Sequence, residues 1–357
     1  MRYLSIFVMF LFFVLGSLEE GYGQMNRRSI RKNNKRLSSF RGKKFGFGKE
    51  KRYNAVGFTL NGLNYFGDLA PLRSRISTDL GFTRPALGIS IAHRFGPRYT
   101  LQGGFSYGTL RGDDAKSADP SKPESASRYV RNLSFRNRIK ELSVVAVFDL
   151  FENQSTYITR ADWTPFAFLG VTVFHHNPKA KAPDTDVNGQ PLAQAGQWVS
   201  LQPLGTEGQY STLAPDAVNY GIKPYKRIQI SIPFGIGLRY KINALTDFSF
   251  EFGIRYLFTD YIDDVSHNYV NLDVLNSELA RAMSFRSNEV TASPNDTYAI
   301  ALLSAKDSYN GYNVLAGYGK EHPDNLRGNA SNKDFFTVTT FRLTYIIGKT
   351  FHRAKFR

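Results

Sequence analysis

Between positions 227 and 240 the chain alternates without a slip. Ile228, Ile230, Ile232, Phe234, Ile236, Leu238 and Tyr240 share one parity, and Gln229, Ser231, Pro233, Gly235, Gly237 and Arg239 the other. A period of two belongs to an extended strand with one apolar and one polar face. The pattern repeats at once, with Phe248, Phe250, Phe252, Ile254, Tyr256 and Phe258 set against Asp247, Ser249, Glu251, Gly253, Arg255 and Thr259. Only residues 241–245 intervene, so the two segments predict a hairpin. Weaker alternation at 141–150 and 339–347, with further strands expected at 54–66, 86–95, 99–110 and 165–175, brings the total to about eight. The 30 glycines, 29 phenylalanines and 20 tyrosines favour strands over helices.

Alternation alone does not separate the core of a soluble β-sandwich from a lipid-facing wall. Three features favour the wall. The strands run to ten residues or more, where soluble strands average about five or six and tilted membrane strands need about nine to eleven. Aromatics recur near strand ends, at Tyr53, Phe66, Tyr99, Tyr240, Tyr256, Phe258, Tyr345 and Phe351, as interfacial girdles require. Connections also alternate, the short set at 96–98, 151–164 and 241–245 and the long set at 67–85, 111–138, 177–226 and 261–334. The expected fold is therefore all-β: a transmembrane antiparallel up-and-down barrel over 53–357, with compact periplasmic turns and long extracellular loops.

The ends of the chain bear on location. Arg2, an apolar run over 4–16 and the small-residue exit Gly21-x-Gly23 form a secretory signal peptide over 1–23. The run is too short to span a bilayer as a helix, which needs about 20 residues, and no later segment reaches even that length. Outer-membrane placement follows as the expectation. Residues 24–52 form a basic arm, with twelve cations against the single carboxylate Glu50, set in the periplasm by an even strand count. Export makes a nucleic-acid partner unsuitable. The arm reads as a tether that can dock on an acidic surface, through Arg27, Arg28, Arg31, Lys32, Lys35, Arg36, Lys43 and Lys44. The chain has no cysteine, which excludes disulfides and thiolate chemistry.

The polar faces carry Glu141, Arg239, Glu251 and Arg255, with Gln229 and Asp149. A cation on the lipid face at the midplane costs roughly 2–4 kcal/mol, so these groups are expected inside, pairing across strands. An eight-strand barrel is just wide enough for side chains to fill, so a plugged lumen is expected over a pore. No nucleophile and base stand out, and no cofactor, metal or catalytic residue is assigned. Adjacent His175 and His176 point to opposite faces of a strand; His267 lies near Asp263 and Asp264. Asp184-x-Asp186-x-Asn188-Gly189 imitates the start of a calcium loop, but Ala195 stands where the bidentate Glu belongs, and the segment reads as a polar turn. In the loops, residues 277–285 (SELARAMSF) suit a short helix, and 287–332, rich in Asn, Ser, Asp, Gly and Lys, reads as a flexible excursion.

Four segments then become informative together: YNAVGFTLNGLNYFGDLAP (53–71), RISTDLGFTRPALGISIAHRFGPRYTL (75–101), RYVRNLSFRNRIKELSVVAVFDLF (128–151) and IRYLFTDYIDDVS (254–266). In this order they resemble the PorG-like outer-membrane barrels of Bacteroidota, associated with the type IX secretion system. The resemblance covers nearly the whole mature chain, though no single motif is diagnostic. It implies a non-catalytic component of a machine that moves folded cargo across the outer membrane and in some members supports gliding motility. It also implies as partners the outer-membrane lipids, a PorK-like lipoprotein and PorN-like ring proteins. The basic arm aligns with no family motif, and residues 352–357 extend past Phe351, where a barrel would normally stop. Two other classes stay open: an independent surface barrel acting as adhesin or solute port, and an outer-membrane hydrolase or acyltransferase.

Overall fold

The computed structural model describes residues 47, 51–69 and 82–347. The signal peptide, the eight candidate docking cations of the arm and the tail past Ile347 lie outside the described residues.

Eight long strands close into an antiparallel barrel. They are β1 (Tyr53–Phe66), β2 (Arg84–Arg94), β3 (Tyr99–Asp113), β4 (Ser134–Asp149), β5 (Trp163–His175), β6 (Ile228–Lys241), β7 (Thr246–Leu257) and β8 (Phe335–Ile347). Each pairs with its neighbours in sequence, β3 pairs with β4, and β1 closes the ring against β8 with Asn54 opposite Ile347. Closure leaves these strands no open edge, so every wall strand has hydrogen-bonding partners on both sides. With strands rising about 3.4 Å per residue and tilted about 40°, even β2 spans roughly 28 Å of height.

The parity read from the sequence sets the two faces. Outward side chains are apolar and exposed, among them Phe58, Ile89, Ile91, Leu142, Leu169, Ile236, Phe250 and Leu343, with Ile91 68% exposed. Leaving such a side chain in water forfeits about 1.5–3 kcal/mol each, so the belt suits a hydrocarbon surround. At the turn side it ends in aromatics: Tyr99 stands edge-on to Phe148 at 5.5 Å, and Phe151 to Trp163 at 5.5 Å. Tyr53 departs from its expected girdle role. It pairs with Arg94 on the inward parity and packs near Tyr157, because strand parity and not nearness to the end decides which way a ring faces.

Connections at 95–98, 150–162 and 242–245 lie on one side with both barrel ends, and those at 67–83, 114–133, 176–227 and 258–334 on the other. Two boundaries differ from the sequence reading. β3 continues to Asp113 and β4 starts at Ser134, so both ends of the expected 111–138 loop are wall, with Arg111 opposite Arg136. Alternation persists there, with Phe135, Asn137 and Ile139 buried. The outward positions are Arg136, Arg138 and Lys140, and charge conceals the pattern.

The stretch 287–332 is also not a loose excursion. It contributes a helix, Thr297–Ser304, and a hairpin pairing Lys306–Tyr309 with Tyr312–Leu315. Its Ala299, Val314, Leu315 and Tyr318 share a core with Val130, Tyr269, Leu275 and Phe285. A few spaced apolar residues are enough when other loops supply the remaining core. The helix expected at 277–285 forms over Glu278–Ser284, with the Ser277 hydroxyl accepting from the Ala280 amide at 3.1 Å.

An occluded lumen under a folded cap

The inward parity of the wall carries a ladder of arginines and carboxylates. At the turn side Arg94 meets Asp149 at 2.6 Å, Arg239 meets the same carboxylate at 3.1 Å, and Arg160 from the 150–162 turn reaches Asp247 at 2.5 Å. In the middle Arg342 grips Glu251 in a fork of 2.7 and 2.9 Å, and donates a third bond to the Ser90 hydroxyl at 2.6 Å. Toward the mouth Arg255 donates to Glu141 at 3.0 Å. Of the four lumen residues named from the sequence, Glu141 and Arg255 thus meet each other, while Glu251 pairs with Arg342 and Arg239 with Asp149.

Aromatic rings fill the space between these layers, and glycines make room for them. A Cβ on Gly237 would lie 2.4 Å from the Phe166 ring, and one on Gly253 would lie 2.7 Å from the Phe168 ring. Small residues facing large ones are the usual way a narrow barrel is filled. Among the described residues, adjoining cavities of about 60 Å³ beside Glu251 and Arg255 and about 40 Å³ beneath them share Ser90, Gln102 and Arg342 in their lining. Each has room for only a few waters, so side chains occupy most of the interior.

Above Tyr65, Phe135, Phe336 and Val338, all buried, the described parts of the long loops cover the mouth. Arg327, 1% exposed, joins them. Its Nη1 donates to Glu207 at 2.9 Å and to the Asp264 carbonyl at 2.6 Å, while its own carbonyl accepts from Arg131 at 2.7 Å. Arg131 also holds Asp114 by two bonds of 2.7 and 2.9 Å and the Asp68 carbonyl at 2.8 Å. A residue from each loop therefore takes part in one buried charged network.

Under this keystone the Tyr65 hydroxyl lies 2.6 Å from Asp263 and 2.8 Å from Asp334. One hydroxyl proton cannot serve both contacts, so a carboxyl proton completes the set. Burial pushes both carboxyls well above the usual carboxylate range, Asp263 further under the charge of Asp68 and Asp334 under that of Asp263. Burial likewise raises Asp264 to about 6 against the opposing pull of Arg327, and Asp260 to about 7 against its bond from Ser266.

The remaining candidates resolve into structural roles. His176 is buried with Nε2 3.0 Å from the Lys226 carbonyl, and burial lowers it to about 4. His267 Nδ1 contacts the Tyr261 hydroxyl at 2.9 Å. The Asp184–Gly189 segment is a turn in which Asp186 accepts from the amides of Asn188 and Gln190 at 2.9 and 2.7 Å. Among the described residues no group of three or more His, Asp or Glu side chains is arranged to hold a metal. Arg342 and Asp149 were legible from strand parity. Arg160, Arg131, Arg327 and Glu207 lie in irregular segments, where the sequence offers no periodic signal.

Residues 47–191 match a protein family described as a domain of unknown function (DUF6089). No curated protein matches the sequence. Among solved structures the chain is similar to outer-membrane barrels, three of which follow. The first is Ail, the attachment invasion locus protein of Yersinia pestis, at 7% identity over 83% of this chain and 97% of that one, with a TM-score of 0.30. The second is the outer membrane protein OprG of Pseudomonas aeruginosa, at 8% over 84% and 98%, TM-score 0.34. The third is a major outer membrane protein of Thermus thermophilus, at 9% over 82% and 99%, TM-score 0.35.

Proposed function

We propose that this chain is a plugged outer-membrane barrel that works as an anchor, with no catalytic step, and that it fixes the periplasmic ring of a type IX secretion system to the membrane. The observation that carries the reading is the lumen. Five guanidiniums, Arg94, Arg160, Arg239, Arg255 and Arg342, are locked to four carboxylates across the interior of the wall. A barrel that conducts nothing and presents an apolar belt outside has its two ends as working surfaces. The secretion role comes from the four PorG-like segments, which supply β1, β2, the first residues of β3, β4 and the end of β7. In this reading the short turns and the basic arm are the contact surface for PorK-like and PorN-like proteins.

Crosslinking in intact cells with an affinity-tagged chain, followed by mass spectrometry, tests this. Recovery of PorK-like or PorN-like proteins through the turns or arm is the expected result. Their absence with the barrel inserted refutes the ring anchor. Deletion of residues 27–52 should leave insertion intact and weaken ring association. Association that survives the deletion removes the arm from the interface.

A second reading, an independent surface adhesin or solute port, draws on the cap, whose separate core around Tyr269 and Leu275 gives it a defined outer surface. The adhesin form fits that cap, and the occluded lumen opposes the port form. Conductance in planar bilayers together with normal cargo export in a deletion strain would favour the port.

A further inference from the structure

The outer row of β4 changes character abruptly. Phe148, Val144 and Leu142 are apolar and exposed, and the next outward positions are Lys140, Arg138 and Arg136. Register extends this row sideways. Arg111 of β3 lies opposite Arg136, and Lys179, in the short strand Pro178–Lys181 that prolongs the sheet, lies on its other side. Trp198 lies opposite Lys181, and the Arg136 guanidinium sits 3.7 Å from the centre of its ring.

Residues directly opposite in an antiparallel pair share a face, so these six cations form one outward patch. Arg111 is balanced by Asp113 at 3.0 Å; among the described residues the other five have no carboxylate partner. Like charges set directly opposite each other repel, and an anion lying over the row relieves them.

Height identifies the anion. By strand rise and tilt, Lys140, Arg138 and Arg136 stand about 5, 10 and 16 Å above Leu142. The headgroup layer of a bilayer is roughly 5–8 Å deep on each side, so Lys140 and Arg138 border it and the long side chains of Arg136 and Lys179 reach down to it. Elsewhere the same rim is aromatic, with Phe66 stacked on Phe335 at 4.9 Å and Tyr256 edge-on to Phe258 at 5.6 Å. Among the described residues, the six clustered cations lie on the sector of β3, β4 and the short strand Pro178–Lys181.

We propose that this patch docks the phosphate groups of anionic lipid headgroups in the leaflet on the loop side, fixing the depth and rotational setting of the barrel. The proposal rests on the membrane reading above. Its position in direct continuity with the apolar belt favours lipid over an acidic protein, which would meet the patch only at its upper edge.

The test uses the full chain. Co-flotation with phosphatidylcholine vesicles is measured first, and failure to float refutes the membrane reading and this proposal with it. Native mass spectrometry of the detergent-solubilised chain, given equal phosphatidic acid and phosphatidylcholine, then counts retained lipids. Phosphatidic acid should be preferred, and R138Q/K140Q should lower that preference roughly tenfold or more while the folded barrel still resists heating in detergent. K179Q/K181Q, outside the closed wall, should reduce it in the same direction if the first variant fails to fold. Equal retention of the two lipids, or a preference that survives both variants, overturns the site without touching insertion. Displacement of phosphatidic acid by millimolar inorganic phosphate overturns it in favour of a soluble anion.

Discussion

Replacing Arg342 with methionine isolates what holds the lumen shut. Arg342 and Glu251 are each 8% exposed, and their fork is reinforced by the bond to Ser90. Methionine keeps much of the length and removes the charge, so Glu251 stays inside the wall without its counter-ion. Opposite unit charges about 4 Å apart attract by roughly 4 kcal/mol at an effective dielectric of 20. Removing one partner of a buried pair usually costs about 3–5 kcal/mol. The neighbouring guanidinium, Arg255, is committed to Glu141 and offers little relief. We therefore expect R342M to destabilise the barrel by about 3–5 kcal/mol, a shift of a hundredfold to several thousandfold in the unfolding equilibrium. Adding E251Q should recover most of the loss, because a neutral amide no longer needs a counter-charge. Urea unfolding in phospholipid vesicles, followed by the fluorescence of the two tryptophans, measures both. A cost below about 1 kcal/mol for R342M, or a double variant as damaged as the single, would refute the argument that this pair closes the lumen.

Removing the keystone with Arg327→Ala should loosen the cap by about 3–5 kcal/mol and leave the wall folded, seen as new proteolytic cleavage in 176–227 and 258–334 with unchanged heat resistance of the barrel. Asp264 and Asp260 are raised in the folded state to about 6 and about 7. Their contribution is therefore fully present below the ordinary carboxylate range, near pH 4, and is lost as pH rises through those values. Protection factors of 258–274, corrected for the intrinsic pH dependence of exchange, should accordingly fall between pH 4 and pH 8, and a flat or opposite trend would contradict the assignment. A Cβ on Gly235 would fall 2.2 Å from the Phe252 carbonyl, so Gly235→Val should reduce insertion yield, with a cost of about 1–3 kcal/mol or more from the forced backbone shift. The native chain should show no steady conductance in planar bilayers, and stable openings would overturn the plugged lumen.

Strand parity made the wall legible. Where apolar residues hold every second position, as from Ile228 to Tyr240, both the strand and its lipid-facing side follow, because a one-residue slip would turn every side chain to the wrong face. The same parity assigned Glu141, Arg239, Glu251 and Arg255 to the interior. It failed at Arg136, Arg138 and Lys140, where outward charges conceal a continuing strand, and at Tyr53, where nearness to the strand end outweighed parity in the reading. It could not choose partners either: Glu251 takes Arg342 and not Arg255 because register and height decide which side chains meet.

The sequence by itself determined a closed antiparallel barrel with short turns on one side and long loops on the other, since period and spacing are local properties of the chain. The cap was decided only in three dimensions. Arg327, Arg131 and Glu207 come from three separate loops with no shared period, a fourth adds the Asp68 carbonyl, and the burial of the three charges is tolerable only once all of them meet. An isolated loop would leave such charges in water. Pairing and mutual desolvation are properties of the assembled mouth, which is why a stretch that reads as solvent-loving becomes part of a core.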